Sequence, residues 1–351
     1  MSKVEDMLEI DGSHGEGGGQ VLRTALSLSA CLGKPVHIRH VRQGRRKPGL
    51  MRQHLACVKA IAEICSAEVK GASIGSKAVQ FIPGPIKAGD YRFAVGSAGS
   101  STLVFQTVLP ALLMTRQASR LTLVGGTHNP LAPCFDFIQS TFLPVLRQMG
   151  CAFEVYLNRY GFYPVGAGEW TIEITPPHSF KKIVLDNRGQ LLGQSARCIS
   201  AGIPGHVIAR EKQQLLRRLK WPDDTISIEQ VDSLGPGNSV ILELRYPKVT
   251  ETVTSHGAVS ISAERVANQA VDLLRAYLDI GAPVGEHLAD QLLLPLCLGA
   301  GGSFVTGPLS GHCKTNIDII RQMLNVDIKL EKQHQGRQWR IEIKPDSTCA
   351  T

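Results

Sequence analysis

Apolar residues along this chain form helix-like and strand-like patterns whose order recurs. In the predicted helix Leu50–Cys65, apolar side chains return every three or four residues, which favours one buried face. The elements of this first run are a glycine-rich turn at Asp11–Gln20, a helix at Gln20–Cys31, a strand at Val36–Val41, the helix at Leu50–Cys65, and strands near Ala67–Lys70 and Lys77–Ile82.

The same order returns twice more. The second copy has a glycine turn and helix at Gly96–Met114, a strand at Arg120–Val124, a helix near Cys134–Met149, and strands at Cys151–Leu157 and Glu169–Thr175. The third copy has a helix at Glu286–Leu298, a strand at Ser303–Thr306, a helix near Asn316–Leu324, and strands at Val326–Leu330 and Trp339–Ile343. Three such units predict a repeated α+β architecture.

The segment 181–280, between the second and third copies, does not follow this order of elements. It contains predicted strands at Ile183–Leu185, Ser195–Ile203 and Val240–Arg245, and amphipathic helices near Val207–Lys220 and Ser262–Tyr277. We therefore predict a large domain formed by residues 1–180 and 281–345, a smaller inserted α/β domain at 181–280, and a tail at 346–351.

The composition favours a folded, cytoplasmic protein with an anionic partner. Of 351 residues, 43% are hydrophobic and 19% are charged, which allows a sizeable core, and the net charge of +8 favours an anionic partner. Nine cysteines without a CxxC pair indicate reduced thiols, and the start MSKVEDMLEI lacks an apolar signal core. Proline interrupts the longest apolar runs at Pro110 and Pro295, so no membrane span is predicted.

The stretch Arg42–His54 concentrates positive charge on a loop. It contains Arg42, Arg45, Arg46, Lys47 and Arg52 without a carboxylate, and glycine and proline interrupt its regular structure. A helix begins where the loop ends, and helix amino ends attract anions. Guanidinium groups bind phosphate through paired hydrogen bonds. The loop therefore suits a phosphate-rich partner, although a solvated basic turn would have the same pattern.

Several stretches together resemble the RNA 3′-terminal phosphate cyclase family. They are DGSHGEGGGQVLRTALSLS, RQGRRKPGLMRQHLACVKA, YRFAVGSAGSSTLVFQTVLPAL, GGTHNPLAPCFDF, GFYPVGAGE, GPGN, EHLADQLLLPL and GHCKTNIDII. The resemblance implies three repeats of two helices and a four-stranded sheet, like the C-terminal domain of translation initiation factor three, with a smaller α/β domain inserted before the last repeat. It also implies ATP-dependent conversion of an RNA 3′-phosphate to a 2′,3′-cyclic phosphate, through a histidine–AMP intermediate and an adenylylated RNA end.

The resemblance makes His312 the nucleophile and Glu16 the carboxylate that holds Mg²⁺ or Mn²⁺. Thr315 and Asp318 form a capping-box pattern, which predicts a helix that begins just after His312, where the helix dipole favours a phosphate. A lone carboxylate completed by waters and phosphate oxygens suits magnesium. The alternatives are a solvent-facing loop histidine and an acid that only suits a helix end.

ATP is expected, again by resemblance, at Gln106, Pro133 and the segment HLADQ. The members of that segment are His287, Leu288, Ala289, Asp290 and Gln291. On a helix, His287 shares a face with Asp290 or Gln291. The resemblance thus implies that His287 stacks on the adenine, that Asp290 accepts a hydrogen bond from ribose or adenine, and that Pro133 closes the other side. As an alternative, Pro133 suits the first turn of a helix without any ligand.

RNA with a 3′-terminal phosphate is the expected partner of a basic set carried over from the family. The set is Arg23, Arg42, Arg45, Arg46, Gln53 and His54. These residues would neutralise the terminal phosphate and the backbone behind it, giving salt-dependent and sequence-tolerant binding. Aromatic residues are only 5% of the chain, which argues against a platform that stacks many bases.

Two other classes of protein share parts of this pattern. A non-catalytic, cyclase-like protein of ribosome biogenesis would keep the fold and bind RNA or protein, but such relatives lack the nucleophile that His312 provides here. An enolpyruvyl transferase pairs two repeat-built domains of similar size, whereas this chain has three copies and one dissimilar insertion.

Overall fold

The computed structural model describes residues 7–345, so residues 1–6 and the tail 346–351 lie outside the described part of the chain. The first unit comprises β1 (Leu8–Asp11), α1 (Gly19–Leu32), β2 (Val36–Arg39), α2 (Arg52–Ile64), β3 (Glu68–Lys70) and β4 (Val79–Ile82). Helix α1 buries an apolar face that includes Leu22 and Leu26, and it ends at Gly33, whose φ of 65° is a left-handed conformation that favours glycine.

The second unit repeats this order. It comprises β5 (Asp90–Ala94), α3 (Ser101–Leu113), β6 (Ser119–Gly125), a π-helical stretch (Phe137–Phe142) that continues into α4 (Leu143–Gln148), β7 (Ala152–Arg159) and β8 (Gly168–Thr175). Every residue of α3 is buried except Gln106. A helix that is apolar on all sides belongs in the centre of a protein, and α3 packs against α1, α2 and the later helix at Glu286–Leu298.

The third unit is split by a long insertion. After β9 (Ile183–Leu185), the inserted elements are β10 (Gly193–Ala201), α5 (Gly205–Leu219), β11 (Ile226–Gln230), β12 (Gly237–Arg245), β13 (Thr250–His256) and α6 (Ala263–Ile280). The unit resumes with α7 (Glu286–Leu298), β14 (Gly302–Thr306), α8 (Gly311–Met323), β15 (Val326–Gln333) and β16 (Gln338–Pro345). The structure is therefore of the α+β class.

Three of the four sheets within residues 7–345 share one strand order. The orders are β1-β2-β4-β3, β5-β6-β8-β7 and β9-β14-β16-β15, and in each sheet the first pair is parallel and the other two pairs are antiparallel. The fourth sheet, β11-β10-β12-β13, is built only from inserted strands. Strand Ile183–Leu185, which we predicted inside the insertion, instead pairs with β14 and belongs to the third sheet.

Two other sequence predictions need correction. Strands β1 and β5 were not predicted from the pattern, because each is short, carries charged residues and lies at the edge of its sheet. Helix α8 begins at Gly311 and not near Asn316, because the Ser310 hydroxyl accepts the Cys313 N–H and caps the helix. The predicted capping box of Thr315 and Asp318 is therefore wrong, and His312 lies inside the first turn.

Two further features of the described chain concern its helices and its cysteines. No helix in residues 7–345 combines the length and apolarity needed to cross a membrane. The eight cysteines in that range are free thiols, and all but Cys31 are buried. The ninth cysteine, Cys349, lies outside the described residues.

Candidate active site

The glycine-rich turn before α1 lies directly against the first turn of α8. His312 Nε2 is 3.1 Å from Glu16 Oε2, and both side chains are partly exposed. A methyl group at Gly311 would overlap the Glu16 carboxylate, so a residue with a Cβ atom could not occupy that position without a shift. The predicted nucleophile and the predicted metal ligand therefore meet, although they come from the first and the third unit.

A second contact between a histidine and a carboxylate joins the same two segments. His14 Nε2 lies 3.0 Å from Asp318 Oδ2, one helical turn beyond Thr315 on α8. Deeper in the structure, the Thr24 hydroxyl donates to Asn316 Oδ1 at 2.7 Å. These contacts fix the glycine turn and α1 against α8 on both sides of the His312–Glu16 pair.

The predicted RNA-binding arginines of the basic loop have different surroundings. Arg45 points at the site, with Nη2 3.6 Å from Glu16 Oε2. Arg42 Nη1 instead donates to the carbonyl oxygens of Lys47 and Gly49, both at 2.8 Å, so Arg42 closes the loop on itself. Burial, together with the nearby charge of Arg45, lowers the pKa of Arg42. Arg46 is exposed.

His54 and Gln53 lie at the start of α2, beneath the basic loop. Burial, with the charges of Arg23 and Arg42, lowers the pKa of His54 to about 3, so its ring is neutral at pH 7. Because its Nδ1 accepts the Met51 N–H at 3.3 Å, the ring proton is assigned to Nε2. In the chain without RNA, His54 is therefore a neutral hydrogen-bond donor, and its role towards an RNA phosphate stays a prediction. Gln53 Oε1 accepts the Ser100 N–H at 2.8 Å and joins the first unit to the second.

Several predicted residues surround a small polar cavity between the first helices of the three units. Arg23, Gln106, Asp290 and Gln291 all contribute to its wall. The cavity measures about 30 Å³, which is room for one or two waters and not for a nucleotide base. The Gln106 Nε2 group is buried there without a hydrogen-bond partner among the described residues. Gln106 is the one residue of α3 that is not fully buried, and it lines this cavity.

Asp290 is a buried residue that binds the helix carrying His312. It is only 7% exposed, and burial raises its pKa, although His312, Asn316 and Arg23 oppose that effect. Its Oδ1 accepts from Asn316 Nδ2 at 2.9 Å and its Oδ2 accepts from Gln291 Nε2 at 3.2 Å. Burial also lowers the pKa of Arg23, again with Asp290 opposing the effect.

The remaining predicted ATP residues lie at the start of α7 and in the loop before α4. His287 is exposed, and its ring meets the edge of Phe137 with centroids 6.4 Å apart. Leu288 and Ala289 are 1% and 2% exposed, so their side chains pack in the core, and their contact with a nucleotide stays a prediction. Pro133 is half-buried, and its carbonyl accepts from the Thr102 hydroxyl at 2.7 Å.

The inserted segment reaches α7 through Glu251 on β13. Glu251 is 8% exposed and lies against Gly285, the residue that precedes α7. Burial raises the pKa of Glu251 to about 8, opposed by the hydrogen bond from the Gly285 N–H and by the charge of Arg188. A neutral carboxyl at this position caps the helix that carries His287 and Asp290.

A buried polar network that the sequence analysis missed joins the second unit to the insertion. Asp136 accepts from Arg197 Nη1 at 2.6 Å and lies 2.6 Å from His128 Nε2, while Arg197 also binds Glu229 through two hydrogen bonds. Burial opposes ionisation of Asp136, but His128 and Arg197 outweigh it and lower its pKa. The only sequence signal was the presence of His128 and Asp136 in GGTHNPLAPCFDF.

The same network contains three grouped metal-ligating side chains, His128, Cys134 and Asp136. Two of these ligands are already paired with each other, and Arg197 occupies the second oxygen of Asp136. Burial, with the charge of Asp136, raises the pKa of the Cys134 thiol to about 12. A protonated thiol beside an arginine does not suit a cation, so we interpret the cluster as structural.

A histidine and a carboxylate at a helix amino end, with an arginine beside them, suit an enzyme that handles phosphate groups. Residues 14–330 match the family described as "RTC: RNA 3'-terminal phosphate cyclase". The RNA 3′-terminal phosphate cyclase of Ectopseudomonas mendocina is 47% identical over 97% of this chain and 99% of its own length, and that of Koribacter versatilis is 46% identical over 93% of each. The chain therefore belongs to the RNA 3′-terminal phosphate cyclase family, which makes it an enzyme.

One solved structure is related much more distantly. The enolpyruvyl transferase NikO from Streptomyces tendae aligns with 95% of this chain and 48% of its own chain, at 11% sequence identity and a TM-score of 0.42. This chain thus spans about half of NikO, and a likeness of that size carries no argument about fold or function.

Proposed function

We propose that this enzyme uses ATP to convert an RNA 3′-terminal phosphate into a 2′,3′-cyclic phosphate, with His312 as the residue that carries AMP. The observation that supports it most is the contact between His312 Nε2 and the Glu16 carboxylate, 3.1 Å apart. The relatives named as RNA 3′-terminal phosphate cyclases match this chain over nearly its whole length.

The first step forms the enzyme–AMP bond. The unprotonated ring nitrogen of His312 attacks the α-phosphorus of ATP, a P–N bond forms, and pyrophosphate leaves. His312 lies in the first turn of α8, where free N–H groups and the helix dipole stabilise the negative charge on the α-phosphate. Arg45, beside Glu16, would stabilise charge on the triphosphate or on the incoming RNA phosphate.

A divalent cation fits this site by the chemistry of its donors. Glu16 offers one partly exposed carboxylate, and waters and phosphate oxygens would complete the shell that Mg²⁺ or Mn²⁺ prefers. Bound there, the cation would neutralise charge on the triphosphate. Because a carboxylate contacts Nε2 only when that nitrogen carries a proton, Nε2 would have to give up this proton, with the remaining ring proton on Nδ1, before its lone pair can attack.

The second and third steps act on the RNA. An oxygen of the RNA 3′-phosphate attacks the phosphorus of His312–AMP, the P–N bond breaks, and a phosphoanhydride joins AMP to the RNA end. The neighbouring 2′-hydroxyl then attacks the 3′-phosphorus, AMP leaves, and the hydroxyl proton passes to solvent or to a base. Because this attack is intramolecular, positioning and charge neutralisation supply much of its rate.

The wider proposal assigns parts of the chain to these steps. Arg23, Arg45, Arg46 and the neutral His54 would bind the RNA end, while His287, Gln291 and Pro133 would contact the nucleotide once the cavity beside Gln106 widens. The shared strand order of three sheets supports three repeats in the large domain, with Gly193–Ile280 as the inserted domain. Free thiols and the absence of a membrane-spanning helix in residues 7–345 are consistent with work in the cytoplasm.

Labelling with α-³²P-ATP and Mg²⁺ tests the proposal. Wild-type protein should acquire acid-labile, alkali-stable label, the signature of a phosphoramidate. His312→Ala should acquire none, while the control His178→Ala, at an exposed position, should label like wild type. Label that persists in His312→Ala would place the nucleophile elsewhere. Wild-type protein that binds RNA but never labels would instead favour a non-catalytic RNA-binding role.

A further inference from the structure

Two loops of the second unit extend the surface that begins at the basic loop. The first, residues 96–100, is held by Arg52, whose Nη1 donates to the Gly96 carbonyl at 3.2 Å, and by Gln53, which accepts the Ser100 N–H. The second, residues 162–167, lies directly on the first, since a Cβ atom at Gly166 would be 2.5 Å from Ala98 Cα. The surface is therefore continuous from the start of α2 to the second loop.

The second loop presents an aromatic side chain to solvent. Tyr163 is 66% exposed, and Val165 beside it is 44% exposed. The loop is fixed from below, because the Gly166 N–H donates to the Phe162 carbonyl and Phe162 is 2% exposed in a small core beneath it. An exposed ring on a fixed loop costs little conformational entropy when a flat partner stacks on it.

A cationic side chain contacts each of the two loops. Arg52 holds the first loop, and Arg159 Nε donates to the Ala167 carbonyl of the second at 3.0 Å. Arg46 and Lys47 of the basic loop are exposed. Alternating cationic and aromatic side chains are the usual components of a surface that follows single-stranded nucleic acid.

We propose that Tyr163 stacks on a base of the RNA substrate upstream of its 3′ end, with Arg52 and Arg159 beside the phosphates that flank this base. This inference rests on the proposed function, because it extends the same RNA path away from His312. It gives the second unit a role in binding the RNA upstream of the 3′-terminal nucleotide. Stacking on a single ring tolerates any base, so Tyr163 would not recognise a particular sequence.

Binding of a fluorescently labelled RNA of about ten nucleotides with a 3′-phosphate tests the stacking, since sites of this type cover about 4–16 nucleotides. Tyr163→Ala should weaken binding roughly 10- to 100-fold, while Tyr163→Phe should bind like wild type because the ring is retained. The salt dependence of binding should be unchanged in Tyr163→Ala, since the tyrosine contacts no phosphate. A 3′-phosphorylated dinucleotide lacks the upstream bases that the proposal places at Tyr163, so it should bind wild type and variant equally.

The chain offers a matched control, an exposed tyrosine on β7, the strand that leads into the second loop. Tyr156 is 58% exposed, but its hydroxyl donates to Glu154 and the charge of Glu173 is also close, so its surroundings repel RNA. Tyr156→Ala should leave RNA affinity unchanged. Intrinsic fluorescence of Tyr163→Trp should be quenched by the longer RNA and not by the dinucleotide.

Two outcomes would overturn the subsite. The first is unchanged affinity for the longer RNA in Tyr163→Ala. The second is equal weakening in Tyr163→Ala and Tyr163→Phe, which would mean that the hydroxyl and not the ring matters. Labelling by ATP is read on the same preparations, so a failure of the proposed function, in which wild type does not label, is distinct from a failure of the subsite, in which every variant labels normally.

Discussion

Replacing Glu251 by glutamine should change how the stability of this enzyme depends on pH. Burial raises the pKa of Glu251 from 4.5 to about 8 in the folded chain. Between these values the folded state holds a proton that the unfolded state has lost, so the wild type loses stability as the pH rises from about 4.5 towards 8. Glu251→Gln removes this titration and keeps an oxygen that accepts the Gly285 N–H.

The size of the effect follows from the same two pKa values. One pKa unit corresponds to about 1.4 kcal/mol, and the unfolded carboxyl is only partly ionised at pH 5. From pH 5 to pH 7 the variant should therefore gain about 2.5 kcal/mol of unfolding free energy relative to wild type. Most of that gain would be absent if Glu251 were ordinarily solvated.

Urea unfolding at pH 5, 6 and 7, followed by tryptophan fluorescence, measures the difference directly, and the buried Trp170 makes it sensitive. The comparison with wild type cancels the titration of all other groups. Glu331→Gln, at an exposed position on β15, is the control and should give no such trend. A difference for Glu251→Gln that stays constant across this range would refute the argument from burial.

Three further substitutions separate binding from stability. Arg45→Ala should weaken RNA binding and reduce the slope of log affinity against log salt concentration by about 0.7–0.9, while ATP labelling is less affected. A loss of labelling with an unchanged slope would assign Arg45 to the triphosphate. Arg42→Ala should lower the free energy of unfolding by about 1–3 kcal/mol, because the Lys47 and Gly49 carbonyls lose their hydrogen-bond donor. Urea unfolding that matches wild type would contradict this role. Asp136→Asn should lower the free energy of unfolding by about 1–3 kcal/mol, because Arg197 and His128 lose a buried carboxylate partner while Arg197 keeps Glu229. A Tm close to wild type would argue against the network.

The sequence predicted most helices because their apolar positions recur with a helical period. It failed where structure depends on partners distant in the chain. Strands β1 and β5 are stabilised mainly by pairing with β2 and β6, and their own residues carry little apolar alternation. The start of α8 was misplaced because Ser310, followed by glycine and histidine, gave a weaker pattern than Thr315 with Asp318.

Residue types at the site could be proposed from resemblance, but their environments could not. Nothing local distinguishes Arg42, which binds its own loop, from Arg45, which faces Glu16. The neutral state of His54 follows from burial beside Arg23, and the sequence does not show that burial. Arg197 and Asp136 pair across 61 positions, so periodicity could not reveal the network.

The meeting of the glycine turn with α8 has a consequence for how the enzyme is made. Contacts between these segments join residues 292 and 304 positions apart, and domains emerge from the ribosome amino end first. A nascent chain that lacks α8 has no histidine beside Glu16, and His312 is the proposed nucleophile. A growing polypeptide is therefore expected to be inert towards ATP until α8 has been synthesised.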